Sequence, residues 1–177
     1  MAAQPFFPNH PLSMPAHVSI TCPVCSHQAS FEAPYWIFYP GDESPTASGA
    51  VVEWSGKLVQ ERFPGQVAWN DLHNSAFRSV TRSKTIGVAV CSACGLVRRH
   101  LLDWPNDAFF KCDIRGKTLW AWNRSQLVSI LEILEGKHRN QERPELRCSK
   151  ISKHFLISKH RDLTIESIKK LLASICT

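Results

Sequence analysis

The chain has 177 residues, of which 44% are hydrophobic and 20% charged, and this composition supports a buried core and excludes a fully disordered chain. No apolar run approaches the ~18 residues of a membrane-spanning helix, and no Lys or Arg precedes Lys57, which argues against a secretory leader. We therefore expect a cytoplasmic protein with no membrane contact. The formal net charge is +6, and the stretch from Lys137 to Lys170 carries the whole excess.

The N-terminal residues 1–17 hold prolines at short intervals, which disfavour a helix and favour extended backbone. We interpret them as an arm that is either flexible or docked. The next segment, Val18–Thr21, is predicted to form a strand, and Gln28–Phe31 is predicted to be its partner. Between them lies the tetrapeptide Cys22-Pro23-Val24-Cys25.

An insertion, residues 32–84, follows the first cysteine pair. It begins with a continuous aromatic strand, Tyr35–Tyr39, bounded by prolines. A hairpin is predicted over Val51–Trp54 and Lys57–Gln60, because Ser55-Gly56 is a tight-turn sequence. Apolar residues at spacings of three to four predict a short helix within 66–83.

The second cysteine pair, Cys91-Ser92-Ala93-Cys94, also lies between two predicted strands. Another hairpin follows it, with its turn at Arg115-Gly116. The four strands of this region are predicted over Thr85–Val90, Leu96–Leu102, Phe109–Ile114 and Lys117–Trp122.

A helix is predicted immediately after this hairpin, with Asn123 as N-cap and Gln126 in the capping-box position. Gly136 is predicted to end it. The connector 137–150 is polar and basic. A final amphipathic helix is predicted from about Leu163 to Ile175, with its apolar stripe facing inward.

The two Cys-x-x-Cys pairs carry the strongest chemical signal in the sequence. Two intervening residues allow one tight turn to present both sulfurs to a single ion, and two such turns supply four thiolates at roughly 2.3 Å in the tetrahedron that zinc prefers. Backbone amides just after each second cysteine typically point at the sulfurs. This arrangement needs a positive φ at Gly95 and at Ser26. Glycine adopts a positive φ readily, whereas serine does so at an energetic cost. We therefore predict one structural Zn²⁺, held by Cys22, Cys25, Cys91 and Cys94.

These motifs, Cys-Pro-x-Cys followed by Cys-x-x-Cys-Gly, resemble the paired knuckles of zinc-ribbon proteins. The segment Gly116–Arg124 is also similar to uncharacterised bacterial members, from which no activity carries over. The chain departs from a compact ribbon because 65 residues separate Cys25 from Cys91, against about one to two dozen in a compact ribbon.

The predicted strands and helices, taken with this resemblance, indicate an α+β fold. We expect a zinc-ribbon-centred antiparallel sheet, enlarged by the long insertion between the knuckles and followed by C-terminal helices packed on the sheet. The predicted division is an arm at 1–17, a β domain at 18–122 with insertion 32–84, and a helical, basic region at 123–177.

Other interpretations of the cysteines are redox dithiols, unrelated buried thiols or iron–sulfur ligands. His27, two residues after Cys25, could replace one ligand, although an exposed knuckle residue is the simpler interpretation. The remaining cysteines show no metal-ligand spacing: Cys112, Cys148 and Cys176.

Motifs for catalysis are absent, since the sequence holds no phosphate-binding loop and no G-x-S-x-G elbow. Asp71 and His73 could serve acid–base chemistry. Asp103, Asp107 and Asp113 could hold a divalent cation only if the fold brings them together. A hydrolase or nuclease is therefore the third-ranked function, and an ordinary turn is the simpler role for these residues.

Nucleic-acid binding is the leading functional prediction, because clustered Lys and Arg contact phosphates. The candidate residues are Arg78, Arg82, Lys84, Arg98, Arg99, Lys150, Lys153, Lys159 and Arg161. Trp54, Trp69 and Phe63 could stack on bases, but we interpret them as core. The alternative is a protein-interaction adaptor or inhibitor, whose partner docks on the aromatic strand or the proline-rich arm. The sequence does not specify an oligomeric state.

Overall fold

The computed structural model describes residues 4–6, 14–15, 17–42, 49–69, 85–137 and 151–174. Within them the chain is α+β, with antiparallel sheets followed by C-terminal helices. The strands are β1 Gln4–Phe6, β2 Val18–Thr21, β3 Gln28–Glu32, β4 Tyr35–Phe38, β5 Val51–Trp54, β6 Lys57–Glu61, β7 Thr85–Val90, β8 Val97–Leu102, β9 Phe110–Ile114 and β10 Lys117–Ala121. The helices are α1 Arg124–Leu134, α2 Lys153–Leu156 and α3 Ser158–Ser174.

Four strands form what we call the knuckle sheet, in the order β2-β3-β7-β8. It consists of two hairpins, each with a Cys-x-x-Cys turn at its tip, joined by antiparallel pairing of β3 with β7. The two hairpins pack so closely at Gly87 that an added Cβ would lie 2.4 Å from Phe31 Cζ and 2.7 Å from the Glu32 carbonyl oxygen. Glycine is therefore required where β7 passes β3.

The insertion builds a sheet of its own, which corrects the expectation that it enlarges the sheet of the knuckles. This insertion sheet has the order β1-β4-β6-β5. Its outermost strand comes from the N-terminal arm, because Gln4–Phe6 pairs with β4. The described part of the arm is thus docked, and its Pro5 occupies an edge strand, where a missing N–H is tolerated.

Aromatic side chains of the insertion belong to a core, as the sequence indicated. Tyr35 and Ile37 are buried, and Trp54, Phe63 and Trp69 pack against them. The Tyr35 hydroxyl donates to the Val67 carbonyl at 2.5 Å. Of the helix predicted within 66–83, residues 70–83 lie outside the described part of the chain.

Arg62 connects the insertion sheet to the end of β3. Its guanidinium pairs with Glu32 at 3.2 Å, donates to the Ala33 carbonyl and lies 4.2 Å from the centroid of the Trp36 ring. A planar cation suits this position, since it can bind a carboxylate and stack on an aromatic face at once.

The hairpin β9–β10 and the first helix follow the sequence prediction closely. Arg115 and Gly116 both have positive φ at the turn, as a two-residue hairpin loop requires. The Asn123 side chain accepts from the Gln126 N–H at 2.9 Å, and the Gln126 side chain accepts from the Trp122 N–H at 2.6 Å. This reciprocal pair is a variant of the capping box in which Gln126 binds the N–H of the residue before the N-cap. Gly136, with φ of +74°, follows the end of the helix.

The C-terminal helices pack on this hairpin, which corrects the expectation that they pack on the sheet of the knuckles. Phe110 and Leu119 from the hairpin share a core with Ile130 of α1, Phe155 of α2 and Ile168 of α3. The last helix begins at Ser158 rather than at about Leu163, because its first turn is too polar to show an apolar stripe. Among the described helices, none is both long and apolar enough to cross a bilayer.

A layer of three tryptophans joins the knuckle sheet to the hairpin β9–β10 and the helices α1–α3, which together we call the hairpin–helix region. Trp104 stacks on Trp122 with centroids 3.9 Å apart, and Trp120 meets both rings edge-on at 5.3 Å. Trp122 is buried in the same apolar cluster as Val18 and Ile20 of β2. Trp120 of β10 and Trp122 just after it thus pack together against the core of the knuckle sheet.

Candidate metal centre

The four predicted cysteine ligands come together in space. The sulfurs of Cys22, Cys25, Cys91 and Cys94 all lie within 4.8 Å of one another. The two contacts across the knuckles, from Cys22 to Cys94 and from Cys25 to Cys91, measure 3.7 and 3.6 Å. In a tetrahedron with metal–sulfur bonds of about 2.3 Å, neighbouring sulfurs lie about 3.8 Å apart. The cluster therefore has the dimensions of a four-thiolate metal site.

Disulfide bonding does not explain these distances, because bonded sulfurs lie about 2.05 Å apart, and all four cysteines are unbridged. The donor set fits a metal ion in composition as well as in size. Four sulfur donors suit Zn²⁺ or iron and leave no ligand position open for substrate. The four residues could hold one structural ion.

Local backbone geometry places each pair of sulfurs. The Cys22 N–H donates to the His27 carbonyl at 2.8 Å, and the Cys91 N–H donates to the Leu96 carbonyl at 2.8 Å. Each of these hydrogen bonds joins the two ends of a Cys-x-x-Cys turn and continues the ladder of its hairpin. Ser26 has φ of +62° and Gly95 has φ of +72°. Both positions predicted to need left-handed backbone therefore adopt it.

Amide groups in the knuckles act on the thiol pKa values. The backbone N–H of Cys25, assisted by that of Val24, donates to the Cys22 sulfur and lowers the Cys22 pKa to about 6, against the opposing effect of burial. The His27 N–H acts likewise on Cys25, but burial and the three neighbouring thiols outweigh it and raise the Cys25 pKa to about 12.

Opposing effects of a backbone amide and of burial also act on the pKa of Cys94. The Leu96 N–H lowers its pKa, and burial together with Cys22 and Cys91 raises it overall. The cluster by itself therefore favours the thiolate at Cys22 and the protonated thiols at Cys25 and Cys94. A bound divalent cation would replace those protons and turn mutual repulsion into shared attraction.

Burial differs among the ligands. Cys22 and Cys91 are buried members of the apolar cluster that includes Ile20 and Phe31, and Cys25 packs against that cluster from outside. Cys94 is exposed. One side of the centre thus lies against the core of the knuckle sheet, so a metal bound there would be continuous with that core.

Other candidate ligands are not part of the cluster. His27 is exposed, and its Nδ1 lies 3.0 Å from the Cys25 carbonyl oxygen, which agrees with an ordinary knuckle residue. Cys112 lies in β9, where burial raises its pKa to about 11. Cys148 and Cys176 are outside the described residues. Sequence reasoning missed the Gln28 carbonyl, which lies 3.8 Å from the Cys91 sulfur, because a backbone contact leaves no signal in residue type.

The acidic candidates have local structural roles. Asp107 accepts from the backbone N–H of Asp103 at 2.7 Å and contacts His100 Nε2 at 2.9 Å. Asp113 accepts from the Thr118 hydroxyl across the hairpin. Among the residues that the structure describes, these carboxylates do not form a metal-ligating group. Asp71 and His73 fall outside those residues.

The basic candidates are separated by the structure. Arg98 and Arg99 are exposed on β8, and Lys153 and Lys159 are exposed on the C-terminal helices. Arg161 differs, because its Nε donates to the Leu134 carbonyl at the end of α1. This side chain ties α3 to α1, a role that residue spacing did not reveal. The remaining candidates lie outside the described residues: Arg78, Arg82, Lys84 and Lys150.

Charges near the chain's basic segment are also partly neutralised. Glu135 pairs with Lys137 at 2.6 Å and with Lys169 at 2.7 Å, and Lys170 pairs with Glu166 at 2.8 Å. The net charge of the C-terminal segment therefore overstates the number of cations open to a partner.

Comparisons with protein-family models, with curated proteins and with solved structures find no match to this chain.

Proposed function

We propose that this protein is a non-enzymatic binding module whose knuckle sheet is stabilised by one structural Zn²⁺ bound to Cys22, Cys25, Cys91 and Cys94. The observation that carries the proposal is the four-sulfur cluster, with its cross-knuckle distances of 3.6 and 3.7 Å. Zinc is favoured because it takes four thiolates in a closed tetrahedral site whose role is structural. Folding and metal binding are then coupled.

The zinc-ribbon assignment is part of this proposal. Its support is that two hairpins, β2–β3 and β7–β8, each carry one knuckle and pair through β3 and β7. The proposal also divides the chain into an N-terminal arm at 1–17, a zinc-ribbon β domain at 18–122 with the insertion 32–84, and a helical region at 123–177.

Metal identity is tested by elemental analysis of protein purified under reducing conditions. We expect one equivalent of zinc and no visible absorption band. One equivalent of iron with a sulfur-to-iron charge-transfer band would replace zinc by an iron centre on the same four residues.

Nucleic acid is the first candidate partner. Its support is the exposed pair Arg98–Arg99, on the strand that leaves the second knuckle, together with exposed Lys153 and Lys159. Such residues bind phosphates through charge, so the affinity is expected to be salt-dependent and poor in sequence preference.

Binding to a single-stranded and a double-stranded oligonucleotide, measured over a range of salt concentrations, tests this candidate. The double variant Arg98→Ala/Arg99→Ala should reduce the slope of log affinity against log salt by about 0.7–0.9 for each phosphate that the arginines neutralise in the parent protein. Arg124→Ala, at an exposed base in the first turn of α1, is the matched control and should leave the slope unchanged. Absence of binding at low salt would remove nucleic acid from the proposal.

A protein is the second candidate partner, and one specific observation favours it. β8 is the last strand of the knuckle sheet, and it exposes the large apolar residues Val97 and Leu101 beside its two arginines. An edge strand presents a row of backbone N–H and C=O groups to solvent, so it is a template for pairing with a strand of another protein.

A further inference from the structure

The two outer strands of the knuckle sheet are covered differently. On β2, the Ser19 N–H donates to the Trp122 carbonyl at 2.6 Å, the Thr21 N–H donates to the Asp107 carbonyl at 2.9 Å, and the Ser19 carbonyl accepts from Phe109. An isolated bridge joins Ile20 to Ala108. The chain segment after β8 therefore closes the β2 edge. At the opposite edge, the order of described strands ends with β8.

Register fixes which backbone groups of β8 point outward. The Cys91 N–H donates to the Leu96 carbonyl, so this pair and every second pair after it exchange hydrogen bonds between β7 and β8. Val90↔Val97, Val88↔Arg99 and Ile86↔Leu101 are the intervening pairs. The N–H and C=O groups of Val97, Arg99 and Leu101 consequently point away from β7, toward the side where a fifth strand would lie.

Side chains on β8 describe the chemistry of a suitable strand. Val97 is 45% exposed and Leu101 is 42% exposed, and their side chains lie on the same face of the sheet because their positions alternate. Arg99 lies between them on the same face, and Arg98 is exposed on the opposite face. A partner strand beside β8 would therefore meet two apolar contacts on one face and the Arg98 cation on the other.

We propose that β8 binds an extended, acidic segment of a partner protein, which adds to the knuckle sheet as a fifth strand. This inference rests on the proposed binding function and specifies its protein partner. Backbone hydrogen bonds to Val97 and Leu101 supply the pairing, and carboxylates beside Arg98, on the opposite face, select the sequence. Apolar residues alternating with the acids cover the exposed Val97 and Leu101 side chains.

A second copy of the chain fits this edge poorly. Antiparallel pairing of two β8 strands through the outward-pointing groups of Val97, Arg99 and Leu101 places Arg99 opposite Arg99, and like charges directly opposite destabilise a sheet. Other outer strands of the two large sheets suit an added strand less. β1 has Pro5 at its centre, and β5 has only four residues, with Glu53 exposed among them.

The test uses the zinc-loaded full chain and a synthetic probe: an N-acetylated, C-amidated hexapeptide of alternating glutamate and valine. Amide resonances of Val97 and Leu101 should shift on titration. Their hydrogen exchange should slow about tenfold at a peptide concentration ten times its Kd. The amides of Ser19 and Thr21, already bonded within the chain, serve as the internal control and should not change.

Two control peptides separate strand pairing from simple attraction of charges. The lysine–valine hexapeptide should not bind, because its ammonium groups repel Arg98. The glutamate–valine peptide with N-methylated backbone should also fail, since it keeps its charge and loses its hydrogen-bond donors. Equal binding of the methylated peptide would overturn the proposal.

A pair of variants tests the protein side. Leu101→Pro removes an N–H that points away from β7, so the β7–β8 ladder keeps its hydrogen bonds, and peptide binding should be lost while zinc content and oligonucleotide binding persist. Leu101→Ala keeps the N–H and should weaken peptide binding without abolishing it. Equal peptide affinity in the parent and Leu101→Pro proteins would contradict the proposal.

Three further outcomes are decisive. Strong exchange protection of Val97 and Leu101 in the peptide-free protein would show that the edge is already paired and overturn the proposal. Oligonucleotide binding without peptide binding would overturn it as well and support phosphate contact by the same arginines. A zinc-loaded protein that binds neither the peptide nor the oligonucleotide would reject both candidate partners, and only the structural role of the zinc would be retained.

Discussion

The knuckle sheet and the hairpin–helix region are held together in different ways. In the knuckle sheet, two of the four clustered cysteines are members of the buried core, together with Ile20 and Phe31. In the hairpin–helix region, the core is built from large apolar side chains, among them Phe110, Leu127 and Ile168. We propose that the knuckle sheet depends on its four sulfurs in addition to apolar packing, whereas apolar packing suffices in the hairpin–helix region.

The difference has a consequence for stability. A structural zinc site contributes about 10–16 kcal/mol of binding free energy near pH 7, which is comparable to the total stability of a typical domain. Removing the metal should therefore abolish the knuckle sheet, whereas the hairpin and its helices retain their own core. Trp122 forms the junction between the two regions. Its carbonyl accepts a hydrogen bond from the Ser19 N–H in the knuckle sheet, and its N–H donates to the Gln126 side chain in α1.

The largest expected effect comes from breaking the cluster. Cys91→Ser should remove stoichiometric zinc and unfold the knuckle sheet, because a hydroxyl does not replace a thiolate and the remaining sulfurs leave the ion incompletely coordinated. Zinc content and amide exchange of β3 and β7 measure both losses. A chelator added to the parent protein should have the same effect.

The matched control is Cys112→Ser. Cys112 is a partly buried cysteine of β9 outside the cluster, so this variant should keep its zinc and lose little stability. Parent-like melting and zinc content in Cys91→Ser would count against a structural metal.

A cavity in the other region should give the opposite result. Ile168 is fully buried between α3 and the hairpin, and Ile168→Ala should cost about 2–5 kcal/mol in the free energy of unfolding while one zinc remains bound. Urea unfolding with parallel metal analysis checks this expectation. Leu163→Ala, on an exposed face of the same helix, should cost little, and loss of zinc from Ile168→Ala would show that the regions are not independent.

The junction should show an intermediate effect. Gln126→Ala removes the acceptor for the Trp122 N–H and half of the capping box, which should cost about 1–2 kcal/mol. Ser125→Ala, at the exposed neighbouring position, should be neutral. The same urea experiment measures both variants, and equal stability of Gln126→Ala and the parent would remove the capping box as a source of stability.

The smallest effect is electrostatic and pH-dependent. Lys137 and Lys169 lower the Glu135 pKa from its ordinary 4.5 to about 2. The stabilisation is therefore fully present above about pH 4.5 and is lost as the pH falls toward 2. The parent protein should exceed Glu135→Gln in stability at pH 7, and this difference should shrink on acidification and in high salt, since both lysines are largely exposed.

The helical signal during urea unfolding at several pH values checks this difference. Ser167→Ala, at a position of α3 outside the Glu135 ion pairs, is the control and should show no comparable pH dependence, because it changes no ionisable group. A difference that grows on acidification would have the wrong sign for a lowered pKa.

Local patterns made much of the fold predictable. Ser55-Gly56 and Arg115-Gly116 are turns with positive φ at both positions, and two-residue turn chemistry is readable from residue type alone. The capping box at Asn123 is equally local. The cysteine cluster was predictable although its two halves are far apart in the chain, because two Cys-x-x-Cys pairs have the spacing of ligands that bind one metal ion together.

Non-local pairings were not predictable in the same way. Nothing in Gln4–Phe6 indicates that it pairs with β4, since a three-residue strand containing proline has no periodic signal. The choice of the hairpin as the surface beneath α1 and α3 depends on which apolar faces fit each other. The role of Arg161 at the end of α1 likewise depends on the angle at which two helices meet.

X-ray absorption spectroscopy at the zinc edge, on the purified reduced protein, tests the central claim most directly. We expect one zinc per chain with four sulfur neighbours at about 2.3 Å and no nitrogen or oxygen neighbour. Mixed sulfur and nitrogen or oxygen coordination, or a folded chain that contains no metal, would contradict it.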